Sequence, residues 1–307
     1  MRETFVTINF TQDSLDLIQQ ANTIIGEYQR QGYRLSLRQL YYQFVSRDLI
    51  ANNLKSYKRL GGIISEGRLG GLIDWDAIED RGREYQLPNH WTTPEEIVRS
   101  AAESYRIDKW EGQPWHVEVM VEKDALSGVL EPVCRDLDIG FTANRGYSSS
   151  SAMYEAGKRI EQAIDDAGKD VLILYLGDHD PSGIDMTRDV LERLELFCRT
   201  SIEVKRLALN MDQVNQYDPP ENPAKLTDSR ANAYIAQFGD SSWELDALEP
   251  RVLSEIVTRA VTTVRDEGAW AEAVAQEERE RAVLKAIADQ YEKVKKHLKL
   301  NGNGAHP

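Results

Sequence analysis

Long apolar runs are missing from this 307-residue chain: no stretch approaches the roughly 18 residues that a membrane-spanning helix needs. The opening residues Met1, Arg2, Glu3 and Thr4 do not resemble a secretory signal, so a cytoplasmic protein is expected. Cysteine is scarce. Cys134 and Cys198, the only two, fall among apolar neighbours in helical patterns, which excludes a disulfide framework or a cysteine zinc site and leaves reduced, buried thiols. The five histidines are scattered; only His179 lies inside a motif, where a surface-facing spacer is expected rather than a ligand. There is no internal repeat and no Gly-x-x-x-x-Gly-Lys-Ser/Thr phosphate loop. Positive charge is also short: 37 Lys and Arg against 51 Asp and Glu give −14, which disfavours indiscriminate binding to polyanions. The length nevertheless suffices for two domains with their own cores.

The most informative segment present is Leu174-Tyr-Leu-Gly-Asp-His-Asp-Pro-Ser-Gly183. An apolar run, Val171 to Leu176, stops at two carboxylates one residue apart, Asp178 and Asp180; Pro181 and Gly183 break the chain, and a helical pattern starts at Ile184. Open α/β sheets place ligands at the carboxyl ends of their strands. Two hard oxygen donors at i and i+2 suit Mg²⁺, which in turn attracts phosphate. An acidic turn of ordinary turn formers is the plain alternative. A second run, Val117 to Glu122, also ends on a carboxylate, after which Lys123, Asp124 and Ala125 open a helix. Further strands are expected at Ile139–Ala143, followed by Asn144-Arg145-Gly146-Tyr147, and at Ile202–Leu209, with helices through Met153, Ile160 and Ile164 and through Val190, Leu194 and Phe197. This alternation implies right-handed crossovers and a parallel sheet whose strands finish on one edge, where Glu122, Arg145, Asp178 and Asp180 become candidates for a single cluster.

The amino-terminal third reads differently. A helix is expected over about Ser14–Gln31, and Ser36 with Gln39 has capping-box spacing at the start of a second. In that second helix Leu37, Leu40, Tyr41, Phe44 and Val45 share one apolar face, so Tyr41 is core, whereas Tyr42 points away with Arg38 one turn before it. A tyrosine beside an arginine suits phosphoryl transfer. The phenol, with a pKa of about 10, can attack once its proton is lost or hydrogen-bonded, and a guanidinium binds non-bridging phosphate oxygens in a fork. The plain alternative is a surface aromatic. A third helix through Leu54, Leu60, Ile63 and Ile64 is expected to be bounded by glycines 61, 62 and 67, and Gly70–Ile78 reads as a short hairpin-like wing, giving a helix-turn-helix variant. Residues 30–68 carry a net +6, including Arg38, Lys55, Lys58, Arg59 and Arg68, whereas residues 244–280 carry −6. With Lys123 and Arg145 these bases form the expected footprint on double-stranded DNA; a merely solvated basic face is the plain alternative.

A lone Glu after one strand and Asp-x-Asp after a later one resembles the Toprim domain of topoisomerases, primases and some nucleases. Asp178-His-Asp-Pro-Ser-Gly183 and Arg38-x-x-Tyr41-Tyr42 together resemble the A subunit of topoisomerase VI and the meiotic double-strand-break protein, and most closely the stand-alone Mini-A group. That resemblance covers residues 14–210. It implies a winged-helix domain followed by a Toprim α/β domain, with a Mg²⁺ site (Mn²⁺ substituting) held by Glu122, Asp178 and Asp180. Glu122 is a possible general acid/base, and Tyr42 forms a 5′-phosphotyrosyl link to DNA. It further implies a homodimer in which the tyrosine of one subunit meets the metal site of the other, in a nucleoid-associated protein. A B-type ATPase subunit is not evident. Two other readings stay open: a Toprim nuclease that cuts with metal-activated water, in defence against plasmids or phage, and a non-catalytic DNA-binding dimer.

The expected organisation is a tyrosine-bearing head at 1–90, a linker at 91–115, the metal-binding domain at 116–250, a helical C-terminal extension at 251–300 and a disordered tail at 301–307. Within the third of these, Asn210–Pro223 reads as irregular. Trp243, Leu245 and Leu248 would pin a loop to the core, while Glu244 and Asp246 either approach the acidic edge or only flank those apolar residues.

Overall fold

The computed structural model describes residues 2–79, 88–144 and 149–298. They form two compact units: Met1–Arg83 with Trp115–Val264, and Glu84–Pro114 with Arg265–Pro307. The expected linear order of domains is therefore interrupted. Residues 91–114, expected as a linker, join the second unit, and the first helix of the expected C-terminal extension stays with the first.

The first unit begins with helix α1 (Gln12–Gln29), whose Leu17, Ile18, Ala21, Ile24, Ile25 and Tyr28 are buried at the 3.6-residue period. A two-residue strand, β1 (Leu35–Ser36), leads into α2 (Leu37–Ser46). Its start is fixed as the sequence implies: Ser36 Oγ accepts from Gln39 N at 3.2 Å and Gln39 Oε1 accepts from Ser36 N at 2.8 Å. Helix α3 (Leu54–Leu69) runs straight through the three glycines expected to bound the third helix. At Gly61 and Gly67 the role is packing. A Cβ on Gly67 would lie 2.9 Å from Ile73 Cδ1, and one on Gly61 would lie 3.2 Å from Leu37 Cδ2. The expected wing is not a hairpin among the described residues. Residues 75–77 form a single 3₁₀ turn, and β2 (Ile78–Glu79) pairs in parallel with β1.

In chain order there follow α4 (Pro94–Ser104), β3 (Trp115–Val121), α5 (Ser127–Asp136), β4 (Gly140–Ala143), α6 (Ser150–Ala167), β5 (Asp170–Leu176), α7 (Pro181–Cys198) and β6 (Glu203–Ala208). The stretch read as irregular contains α8 (Met211–Tyr217) and β7 (Glu221–Pro223). After it come α9 (Ala231–Phe238) and β8 (Ser241–Trp243), with β8 antiparallel to β7. The chain continues through α10 (Pro250–Val264), α11 (Glu267–Asp289) and α12 (Tyr291–His297).

Four of these strands make an all-parallel sheet in the order β4-β3-β5-β6, so the α/β reading holds. Alternate β5 residues Val171, Ile173 and Tyr175 share a core cluster with Met153, Ile160, Val190 and Leu194 of α6 and α7. From β3 the chain crosses leftward to β4, and from β5 it crosses rightward to β6. The sheet therefore reverses its winding between β3 and β5, and the crevice of such a fold opens at the carboxyl ends of that pair. The last ladder pair there is Val121 with Leu176. Both cysteines are free and buried, as expected. Among the described residues no helix is long and apolar enough to cross a membrane.

In the second unit α4 packs on α11. Lys109 Nζ reaches Glu277 Oε2 at 2.6 Å in a buried pair, and the Gln113 amide brackets the Asp266 backbone at 2.7 and 3.0 Å, where Asp266 caps α11.

The glycine assignment is testable by chemical denaturation. Gly67→Ala should destabilise by about 1–3 kcal/mol through overpacking against Ile73. Gly62→Ala, exposed and with nothing within 4 Å, should stabilise by up to about 1 kcal/mol.

Candidate metal centre

The acidic residues meet where the winding reverses. Glu122 follows β3 directly, and its backbone N donates to Leu176 O at 2.8 Å, extending the ladder by one step. Its Oε2 accepts from Asp178 N at 2.8 Å, so the first carboxylate holds the loop that carries the second. Gly183 is required by this loop, because any Cβ there would run into the Asp178 carbonyl. Asp180 caps α7, accepting from Gly183 N at 2.6 Å and from Ser182 Oγ at 2.9 Å.

A third segment completes the site. His179 and Trp243 exchange backbone hydrogen bonds of 2.9 Å each, and Leu245 N donates to Asp178 Oδ1 at 2.8 Å. These contacts lay residues 243–246 over the strand ends. Leu245 and Leu248 pin them to the core as expected, and Glu244 and Asp246 do reach the acidic edge. Asp178, Glu244 and Asp246 each bring one carboxylate oxygen within 4.8 Å of the others.

Two cations hold these acids together. Lys123 Nζ lies 2.8 Å from Asp178 Oδ2 and 3.2 Å from Asp246 Oδ1, and it also bonds Glu244. Arg38 bonds Glu244 and places Nε 2.9 Å from Asp246 Oδ2. Burial works against both charges, but the carboxylates outweigh it and hold the two cations above their usual pKa. Burial pushes Asp178 up to about 7, reinforced by Glu122, Glu244 and Asp246 and opposed by Lys123. Glu122 is raised for the same leading reason, whereas Glu244 is lowered because Lys123 and Arg38 overcome its burial.

The residues named from sequence are thus only partly grouped as expected. The triad that can hold a metal ion is Asp178, Glu244 and Asp246 rather than Glu122, Asp178 and Asp180. Glu122 spends an oxygen on the loop backbone, and Asp180 is turned to its helix, with Lys225 3.9 Å from its other oxygen. The oxygen-only donor set fits a hard divalent cation. Asp246 Oδ2 supports that fit: it is buried and accepts no hydrogen bond despite the nearby Arg38. Lys123 contacts all three carboxylates, so it competes with a metal for the same oxygens.

Tyr42 is not free on the surface. It is 4% exposed, as buried as Tyr41, because α2 has a second buried face against the 245–247 turn; Ala247 belongs to the same core cluster. Its ring lies 6.0 Å from the Arg38 guanidinium carbon. Burial, then the charges of Glu244 and Asp246, hold the phenol well above its usual pKa, with Arg38 and Lys123 opposing.

His179 is likewise no surface spacer. It is 1% exposed, packed among the Tyr234, Phe238 and Trp243 rings, with Nδ1 2.7 Å from Tyr234 Oη. Two of the bases expected to face DNA, Arg59 and Arg68, are engaged within the chain. Arg59 pairs with Asp13, and Arg68 donates to the Trp75 and Ile78 carbonyls at 3.1 and 2.6 Å. Lys55 and Lys58 are exposed and, among the described residues, have no ion-pair partner. Arg145 lies outside the described residues.

Sequence reasoning missed Arg206. This half-buried side chain donates to the Asp178, Gly177 and Gly183 carbonyls at 2.5, 3.0 and 2.9 Å, tying β6 to the acidic loop. Its signal was an arginine two residues on from Val204, on the side of the strand that alternation assigns to the core. For Glu244 and Asp246 the signal was a repeat of the acid-x-acid spacing at 178 and 180. Compared with known proteins, the sequence matches no family model and no curated relative.

Two measurements probe the site. Lys123→Met strips the acids of a shared cation and should cost about 3–5 kcal/mol in metal-free buffer. Mg²⁺ or Mn²⁺ should then raise its melting temperature more than that of the wild type, and equal shifts would remove the triad as the binding site. The second concerns His179, whose pKa burial lowers from 6.5 to about 4. The unfolded chain binds the extra proton between those values, so this stability is complete above about pH 6.5 and is lost as pH falls towards 4. His179→Phe should flatten that part of the stability–pH curve by up to about 3 kcal/mol.

Proposed function

We propose that this protein is a divalent-metal-dependent enzyme that cuts DNA by transesterification, with Tyr42 as the nucleophile. The reading joins the resemblance to the topoisomerase VI A subunit, with its winged-helix head and Toprim domain, to one observation. A continuous set of contacts runs from the Tyr42 ring through Arg38 to Glu244 and Asp246, and through Lys123 to Asp178. The phenol, the two phosphate-binding cations and the carboxylates that can hold a metal are thus one assembly. A metal bound there would supply charge stabilisation for a non-bridging phosphate oxygen.

In the reaction, Tyr42 Oη bonds to phosphorus as the P–O3′ bond breaks. The phenolic proton ends on the released 3′ hydroxyl, and the 5′ phosphate stays on the protein. Arg38 and Lys123 face the charge that builds on the phosphate oxygens. Both cations are engaged by carboxylates and the phenol is buried and protonated, so the proposed reaction requires these contacts to open. DNA phosphate competes with Glu244 and Asp246 for Arg38. The resemblance implies a homodimer in which the tyrosine serves the metal site of a second copy; the contacts here join Tyr42 to the acids of its own chain, and the reaction is proposed within that chain.

The burial of Tyr42 favours one second reading, a nuclease in which water attacks and the phenol only packs. Stopping a cleavage reaction in denaturant separates the two. Transesterification leaves protein on the DNA 5′ end, and Tyr42→Phe should lower that adduct at least about 10³-fold. Cut DNA with free ends and an active Tyr42→Phe variant would establish the hydrolytic route instead.

A further inference from the structure

Beside Tyr42 lies a cavity of about 230 Å³ whose lining joins Arg38, Tyr42 and Glu244 of the proposed site to six residues that the scission chemistry does not use. Drug-sized ligands occupy roughly 300–1,000 Å³, so this space admits one ring system and little more. Its walls are aromatic. Tyr41 meets Tyr42 edge-to-face at 5.3 Å and Tyr57 at 5.2 Å, and all three rings line the space. Leu54, 65% exposed, supplies an apolar lip.

The polar groups there are ordered and one is spare. Tyr41 Oη donates to Asn52 Oδ1 at 2.9 Å, and Asn52 Nδ2 donates to Asn222 Oδ1 at 3.0 Å. The chain ends on Asn222 Nδ2, a buried amide with no hydrogen-bond partner. A buried donor left unpaired is costly, and a planar heterocycle with ring carbonyls or ring nitrogens would satisfy it while its faces meet the tyrosines. Lys55 and Lys58, next in sequence to Leu54 and Tyr57, are exposed and unpaired among the described residues, as a phosphate backbone passing the opening would require.

We propose that this cavity takes a single nucleobase drawn out of the DNA stack next to the phosphate presented to Tyr42. The inference rests on the DNA reading above and adds what that reading lacks: a preference for sites where one base is easily extruded. Aromatic stacking supplies affinity for any base, and the Asn222 amide supplies discrimination.

Fluorescence anisotropy on three labelled duplexes tests it: fully paired, with a one-nucleotide bulge, and with the same bulge made abasic. The full-length wild type should bind the bulged duplex about ten-fold or more tighter than the abasic one. Tyr57→Ala and the isosteric Asn222→Asp should each bring that ratio towards one, and Tyr57→Phe should keep it; circular dichroism confirms folding of each. A wild-type ratio near one, or a ratio that survives both Tyr57→Ala and Asn222→Asp, overturns the proposal. Absence of binding to all three duplexes overturns it together with the DNA reading. Base preference without a covalent adduct retains the subsite and removes only the tyrosyl chemistry.

Discussion

Carboxylates crowded at the end of a hydrophobic sheet repel one another and lose their water, and this site persists only because Lys123 and Arg38 stand among them. The pKa directions express that balance. Asp178, buried beside three other carboxylates, is pushed towards neutrality, while Glu244, which meets both cations, is held ionised. Taking away either cation leaves charge in a medium that cannot solvate it. The same balance makes the site adjustable, since a divalent ion could replace the ammonium and return the acids to their charged form. Stability and metal binding are thus set by the same atoms.

Geometry for this balance comes from three backbone devices. Glu122 fastens the Asp178 amide, Arg206 gathers the carbonyls of residues 177, 178 and 183, and the His179–Trp243 pairing brings in the 243–246 segment. Each uses a polar group whose burial would otherwise be a loss. His179 belongs here: its imidazole, kept neutral by burial, fills the aromatic pocket beneath the loop that carries the acids. A residue between two aspartates invites reading as a ligand or a spacer, but packing explains its place better than either.

What the sequence disclosed follows from how local each signal is. Strands β3 to β6, the helices between them and the capping box at Ser36 all rest on patterns a few residues long, and they were legible. The single acidic edge was legible too, because parallel strands with right-handed crossovers leave no other arrangement. For Glu244 and Asp246 the sequence left two placements open, since what brings them in is a backbone pairing with residue 179, more than sixty positions earlier. The same limit misled the reading of Tyr42. Helical periodicity identifies one buried face, and α2 has two, the second made by residues 245–247. Glycines 61 and 67 misled for a different reason: in sequence a glycine that breaks a helix cannot be told from one that lets Leu37 or Ile73 approach it.

The burial of Tyr42 bears directly on how such an enzyme would be controlled. A phenol held above its usual pKa by apolar surroundings and two nearby carboxylates is a poor nucleophile, and its two neighbouring cations are engaged elsewhere. The features that silence it are also those a nucleic acid would reverse. On the proposed reading phosphate would compete with Glu244 and Asp246 for Arg38, a metal would neutralise the carboxylates that raise the phenol, and strand entry beside Tyr41 and Tyr57 would open the wall of its pocket. On this view chemistry is withheld until a backbone, and not merely a cation, is present. That is a useful property in a protein whose proposed product is cut DNA.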